Sequence, residues 1–258
     1  MTRPLLPTGD VPDAAPKPAV HEPAVGLVPT RTELLRRFFR SRRDPAPFVD
    51  GLARRATADL PFDVTGRRTL DLGSGDGALA RALTALGAEV LALDIDLRSL
   101  ADDPFPQVRA DGTCLPFADS AFSRVVCSNV LEHTPHPERV LDEIARVLEP
   151  GGRAWVSWTN WYSPWGGHAI APLHYLGPER GLRAWTRLFG PPKGPNLPYR
   201  NLWPTHVGRM MRHAANLPDV RLIDVKPRYY PSQRWIVRVP GLREVAMWNC
   251  VLILERNG

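Results

Sequence analysis

The chain has 258 residues, of which 43% are hydrophobic and 23% charged, so we expect one full-sized domain with a buried core. The net charge is +6, but the arginines are scattered along the chain, which does not favour a nucleic-acid partner. Three cysteines are too few and too far apart for a disulfide framework or a zinc site. No run approaches the ~18 apolar residues of a membrane span and no signal peptide opens the chain, so a cytoplasmic protein is expected.

The first 30 residues differ in composition from the rest. They hold seven prolines among small and polar residues, with little apolar surface to bury. This composition predicts a disordered tail over residues 1–30, followed by a single domain over residues 31–258.

A basic segment follows at residues 31–43, where six arginines surround Leu34, Leu35, Phe38 and Phe39. These apolar positions share one face of a helix. The helix is expected to pack this face on the domain. An alternative is that it touches an anionic membrane surface or gates the active site. A second helix is predicted over residues 48–60.

The stretch TLDLGSGDGALARAL, residues 69–83, is the most informative in the chain. It predicts a strand, a tight glycine turn at Gly73 and Gly75, and a helix whose N-terminal N–H groups face a ligand. The turn alone also fits the dinucleotide pattern G-x-G-x-x-G/A, so the residues that follow must decide between the two ligands.

Two acids follow at predicted strand ends. AEVLALDID ends at Asp94, where a carboxylate can accept hydrogen bonds from two ribose hydroxyls. VRADGTCLPF predicts a short strand ending at Asp111, whose carboxylate could accept from the exocyclic amine of an adenine.

The remaining elements alternate in type. FSRVVCSNVLEH predicts a buried strand and loop, HPERVLDEIARVLEPGG an amphipathic helix, and RAWVSWT a fifth strand. Two strands near the C-terminus could form a closing hairpin. The alternation predicts an α/β fold with a doubly wound parallel sheet and a ligand beyond the carboxyl ends of its strands.

In these motifs the chain resembles a class I S-adenosylmethionine-dependent methyltransferase of the type 11, ubiquinone-biosynthesis-like group. The resemblance spans residues 69–159, and the SPWGGH…HYLG run is similar to a group of actinobacterial methyltransferases. It implies a Rossmann-like fold and S-adenosyl-L-methionine as cofactor. Dehydrogenases usually carry an apolar residue at the position of Asp71, so this acid favours the methyl donor over a nicotinamide cofactor. Ser123 departs from the aspartate common in the family.

The resemblance also implies roles for individual residues. Asp94 would hold the ribose, Ile95 would pack on the adenine, and Asp111 would bind the adenine amine. The full set of expected donor-binding residues is Asp71, Gly73, Ser74, Gly75, Asp94, Ile95, Asp111, Gly112 and Asn129.

Residues 160–204 are predicted to be an aromatic-rich lid inserted after the fifth strand. Its tryptophans could be the core of this lid, or could wall an acceptor pocket for a large, partly apolar molecule. The candidate acceptor contacts are Trp161, Trp165, His174 and Tyr175.

Two histidines are candidates for a general base, His133 in the loop after the fourth strand and His168 in the lid. His133 and His136 form an H-x-x-H pair, but without a third ligand no metal is expected.

Two sequence motifs that are missing from the chain reduce the number of possible methyl acceptors. The N/D-P-P-Y/F loop of base N-methyltransferases and a Pro-Cys nucleophile are both missing. A small molecule, a glycan or a lipid remains, and O-methylation of a hydroxyl is the leading hypothesis. The alternatives are carbon methylation of a quinone or polyketide-like ring, and a non-catalytic binding module. The sequence does not predict the oligomeric state.

Overall fold

The structure is a computed structural model that describes residues 28–40, 46–97, 103–193 and 196–258. Nearly all of the expected tail and residues 41–43 of the predicted basic helix therefore lie outside the described residues. Among the helices that are described, none combines the length and apolarity needed to cross a bilayer.

Seven strands of the described chain form one sheet in the order β3-β2-β1-β4-β5-β7-β6. The first five are parallel, and β7 runs antiparallel to both β5 and β6. The predicted doubly wound α/β sheet is confirmed. The strands are β1 Arg68–Leu72, β2 Glu89–Asp94, β3 Gln107–Arg109, β4 Phe122–Ser128, β5 Leu148–Thr159, β6 Val220–Pro227 and β7 Asn249–Arg256.

Helices cover both faces of the sheet, and each face has its own buried apolar cluster. The helices are α1 Arg31–Arg40, α2 Ala46–Ala58, α3 Ala78–Ala85, α4 Pro137–Val147, α5 Pro178–Phe189, α6 Val207–Ala215 and α7 Leu242–Ala246. In α4, Pro137 starts the first turn, and Val140, Leu141 and Ile144 form the buried stripe. The second predicted helix, 48–60, is observed two residues earlier, as α2.

The described part of the basic segment packs on the domain. Leu34 in α1 is 1% exposed, and Arg31 donates from Nη2 to Asp59 Oδ1 at 3.2 Å. Pro29 is buried, and the hydroxyl of Thr30 accepts the N–H of Glu33. The last residues of the expected tail, Pro29 and Thr30, therefore contact the domain.

The chain between β5 and α6, residues 160–206, includes the predicted lid, residues 160–204, and we call it the lid segment. It contains α5 and two 3-10 turns, His168–Ile170 and Leu173–Leu176. It is tied to the loop after β4 by the Trp203 N–H, which donates to the Glu132 carbonyl at 2.8 Å. The Thr205 hydroxyl donates to the Leu131 carbonyl at 3.3 Å. These bonds hold the lid at the carboxyl edge of the sheet.

Candidate functional site

The glycine turn wraps over the end of β2. The N–H groups of Gly73 and Ser74 both donate to the Leu93 carbonyl, at 2.7 and 3.0 Å. Gly73 has φ +78°, and a Cβ placed there would lie 2.2 Å from Val130 Cγ2. Both its conformation and this close approach require glycine.

Gly75 requires glycine for another reason. It has φ +55°, but no described atom lies within 4 Å of where its Cβ would be. Its N–H donates to Asp94 Oδ2 at 2.9 Å. The open space above this turn is a cradle that a side chain would fill.

Asp71 lies beneath the turn and is 1% exposed. Burial raises the pKa of its carboxyl to about 7, with a further contribution from the charge of Asp94 and a smaller opposing effect of the Ala80 amide. Among the described residues, neither Asp71 oxygen has a partner in good hydrogen-bonding geometry. An unpartnered buried acid is unusual and suits a cationic ligand group.

Asp94 ends β2, as predicted, and each of its oxygens accepts one backbone N–H. Oδ2 accepts from Gly75, and Oδ1 accepts from Asp96 at 3.0 Å. A carboxylate has further lone pairs for hydroxyl donors. The next residue, Ile95, is 66% exposed, so an apolar surface lies bare beside the acid.

Asp111 lies two residues beyond β3, which ends at Arg109 rather than at the acid itself. Its Oδ1 accepts from the N–H and the hydroxyl of Thr113, both at 2.8 Å. Both bonds use Oδ1, so Oδ2 is the oxygen available to a ligand. A Cβ on neighbouring Gly112 would lie 3.2 Å from Leu72 Cδ2, so this loop lies close against β1.

The donor implied by the sequence resemblance fits this half of the edge. An adenosyl amino acid carries an ammonium, a ribose and an adenine. The buried acid of Asp71 can face the ammonium, and the carboxylate of Asp94 can accept from the ribose hydroxyls. The exposed side chain of Ile95 offers an apolar surface for the adenine. The cradle at Gly75 leaves room for the backbone to approach such a ligand.

Asn129 follows β4 at the centre of the edge, in a left-handed conformation with φ +59°. Its Oδ1 accepts from Arg228 Nη1 at 2.8 Å, and its Nδ2 donates to Thr159 Oγ1 at 3.3 Å. Strain of this kind persists only where the surroundings enforce it. Sequence reasoning missed Arg228, which is 4% exposed and comes from the far end of the sheet.

Glu132 is a second residue that sequence reasoning missed, although it lies in the NVLEH motif. It is 1% exposed, and its Oε1 accepts the Thr159 N–H at 2.8 Å. Burial raises the pKa of this carboxyl, and neighbouring His133 opposes the shift. Its contacts fix the loop that carries His133.

His133 points its Nδ1 at the Asn201 carbonyl, 2.6 Å away. A carbonyl oxygen can only accept, so Nδ1 carries the proton of the neutral ring. Nε2 is then unprotonated, with a lone pair for another donor. The side chain therefore has the tautomer that a general base needs.

His168 lies against His133, with ring centroids 5.7 Å apart in an edge-to-face arrangement. Its Nδ1 accepts from Asn196 Nδ2 at 3.2 Å, and that amide is oriented because its Oδ1 accepts from Asn201 Nδ2 at 3.1 Å. Burial lowers the His168 pKa to about 4, with further contributions from His133 and His174. Its unprotonated nitrogen is occupied and weakly basic.

Two of the four candidate acceptor contacts lie inside the lid. Trp161 is 2% exposed and His174 is 0% exposed, and their rings pack edge to face at 5.6 Å. His174 donates from Nε2 to the Ser163 carbonyl at 3.0 Å. In this conformation both residues build the lid core, and their burial argues against direct contact with an acceptor.

The other two candidates reach the surface. Trp165 is half-buried and packs edge-on against Trp248 at 5.1 Å, and Tyr175 is 46% exposed. A cleft of about 430 Å³ opens in the lid beside His168, lined mainly by apolar side chains. The described residues that line it include Trp185, Phe189 and one cation, Lys193.

Comparison with known sequences identifies the family of the chain. Residues 70–156 match the family described as methyltransferase domain. An uncharacterised methyltransferase of Mycobacterium sp. (strain KMS) is 38% identical over 237 residues, which are 86% of this chain and 92% of that protein. One from Mycobacterium marinum is 36% identical over 239 residues, with 86% and 92% covered.

Solved structures share the fold. An S-adenosylmethionine-dependent methyltransferase from Mesorhizobium loti has a TM-score of 0.55 at 22% identity, covering 81% of this chain and 100% of that one. The cyclase SpnF has a TM-score of 0.51 at 17% identity, covering 81% and 80%. These likenesses show the fold alone, and the second belongs to a protein named for a different reaction.

Proposed function

Because the chain belongs to the class I S-adenosylmethionine-dependent methyltransferases, we propose that it methylates a hydroxyl group, with His133 as general base. The acceptor class that we propose is a large, partly apolar small molecule, glycan or lipid. The orientation of His133 carries the proposal, since its Nδ1 bond to Asn201 leaves Nε2 ready to take a proton.

We assign the donor to the half of the edge built by β1, β2 and β3. Asp71 would face the ammonium of its methionine part, Asp94 the ribose hydroxyls, and Ile95 and Asp111 the adenine. The bound donor supplies an electrophilic methyl group on a positively charged sulfur. The chain's own task is then to align the acceptor, exclude water and remove one proton.

His133 is the better base of the two candidate histidines. The unprotonated nitrogen of His133 is Nε2, because Nδ1 donates to Asn201. The unprotonated nitrogen of His168 is Nδ1, which already accepts a hydrogen bond from Asn196. The lowered pKa of about 4 also makes His168 a weak proton acceptor near neutral pH. His168 would instead act as a positioning residue that packs on the His133 ring.

The lid cleft supports an amphipathic acceptor. Its aromatic walls, Trp185 and Phe189, can cover an apolar body, and Lys193 can meet a polar group. The cleft begins at His168, whose ring packs on His133, so a molecule seated there would extend toward the proposed base.

The product identifies the reaction. The full chain is incubated with methyl-labelled donor and a panel of hydroxylated lipids, glycosides, phenols and quinones, and the labelled products are fragmented by mass spectrometry. We expect the label on an oxygen of an acceptor that carries an apolar part. Label on a ring carbon would refute the hydroxyl acceptor and the need for a base, while leaving the donor site intact.

A further inference from the structure

A small cavity lies away from the proposed acceptor cleft, on the face of the sheet that α1 and α2 cover. Its volume is about 30 Å³, room for about two water-sized groups. Trp155 of β5 and Val251 of β7 form its apolar walls, and Arg31, Asp59, Lys226 and Arg228 supply charge. None of these residues belongs to the donor set.

Three residues around this cavity have buried N–H donors without an acceptor among the described residues: Arg228 at Nη2, Trp155 at Nε1 and Arg31 at Nε. Arg228 is 4% and Trp155 0% exposed. Buried donors are nearly always paired, so three unpaired ones at a single cavity indicate a missing acceptor.

The charges of the described lining residues also lack balance, since three of these residues are cations and one is an acid. Asp59 already accepts from Arg31 and Arg55. Lys226 Nζ lies 3.7 Å from Asp224. An anion in the cavity would offset the cost of burying this excess positive charge.

Arg228 is held ready for such a ligand. Its guanidinium carbon lies 5.0 Å over the Trp155 ring, and its Nη1 donates to Ser128, Asn129 and Ser157. These contacts fix the plane of the guanidinium and leave Nη2 without an acceptor in the part of the chain that the structure describes. The unused Nη2 can donate to one oxygen of a carboxylate, and the N–H groups of Trp155 and Arg31 are further buried donors beside the same cavity.

We propose that this cavity binds a carboxylate group through Arg228, Arg31 and Trp155. The inference goes beyond the proposed hydroxyl methylation and holds whichever atom is methylated. Arg228 also donates to Asn129 Oδ1, so its guanidinium would bind both the carboxylate and the loop after β4. The carboxylate belongs either to the acceptor or to a free small acid.

Calorimetric titration with sodium formate at constant ionic strength tests the site. We expect saturable binding that weakens at least about tenfold in Arg31→Gln and in Trp155→Phe, each of which removes one donor. Arg55→Gln is the matched control, because it also removes a partner of Asp59 but does not line the cavity. Circular dichroism and S-adenosylmethionine binding report whether each variant is folded.

Crystals soaked in formate, and in bromide for its anomalous signal, should show the ion in contact with Arg228. Octanoate binding more tightly than formate would assign the carboxylate to a larger acceptor, and formate binding alone would assign it to a free acid. If the soaked crystals show only water in the cavity and no formate, the proposal is wrong. So would the carboxylate of S-adenosylhomocysteine in the cavity, because the cavity would then be part of the donor site.

Discussion

The two halves of the carboxyl edge are held together in different ways. On the donor side, Gly75 and Asp94 are joined across 19 residues of chain, and the bonds involve backbone N–H groups. On the acceptor side, His133 meets Asn201 across 68 residues and Asn129 meets Arg228 across 99. One half is a local turn with a fixed shape, and the other is assembled from distant segments by side chains.

Two places in the described chain also differ in the kind of buried polar group that they leave without a partner. Beneath the glycine turn, Asp71 has buried acceptor oxygens without donors among the described residues, whereas the small cavity under α1 and α2 has buried N–H donors without described acceptors at Arg228, Trp155 and Arg31. Unpaired oxygens favour a cationic ligand group and unpaired N–H groups favour an anionic one. Because the two halves of the edge are built from different residues, variants should separate donor binding from methyl transfer.

The largest effect is expected at His133. In His133→Ala, single-turnover methylation should fall by about 10²- to 10⁴-fold, because the hydroxyl loses its proton acceptor. His213→Ala is the control, since that partly exposed ring pairs with Asp142 away from the proposed site. Full activity in a folded His133→Ala protein would exclude the base and shift weight toward carbon methylation.

The glycine turn offers a matched pair for stability. Gly73→Ala should lower the free energy of unfolding by about 2–5 kcal/mol, because left-handed strain adds to the clash with Val130. Gly75→Ala has similar strain but open space, so a loss of about 1–2 kcal/mol is expected. Urea unfolding measures both. Equal losses in the two variants would contradict the packing described at Gly73.

Asp71 should make stability depend on pH. Its pKa is raised from 3.8 to about 7, so between these values the folded chain keeps a proton that the unfolded chain releases. The stability of the parent should therefore fall by about 1.4 kcal/mol per pH unit relative to Asp71→Asn as the pH rises through this window. The difference should be constant above it. A pH-independent difference between the two unfolding curves would mean that Asp71 is ionised throughout.

The contrast between the halves also explains what the sequence could predict. Gly73, Gly75 and Asp94 lie within one strand–turn–helix unit and the strand that follows, where spacing alone determines position. Arg228 lies in VKPRYYP, a segment without a recognisable pattern, and its partners lie at the end of β4, in the loop after β4 and in β5. The partner of His133 is a backbone carbonyl, which residue identity does not encode.

The lid shows a second reason. Aromatic composition predicted a packed element after β5 but did not separate its core from its surface. Trp161 and His174 turned inward while Tyr175 stayed exposed, and all three lie within 15 residues of one another. Without regular helical or strand periodicity, the sequence carries no signal for which side chain faces in.

Calorimetric titration of S-adenosylmethionine into Asp94→Ala and His133→Ala tests most directly whether the two halves have separate tasks. Asp94→Ala should lose about 1.5–3 kcal/mol of donor binding, ten- to a hundredfold in affinity, because a charge-assisted contact to the ribose is lost. Asp111→Ala should lose less, since it would bind one amine. His133→Ala should bind the donor as tightly as the parent. Parent-like donor affinity in Asp94→Ala, or a large loss in His133→Ala, would contradict the division proposed for this edge.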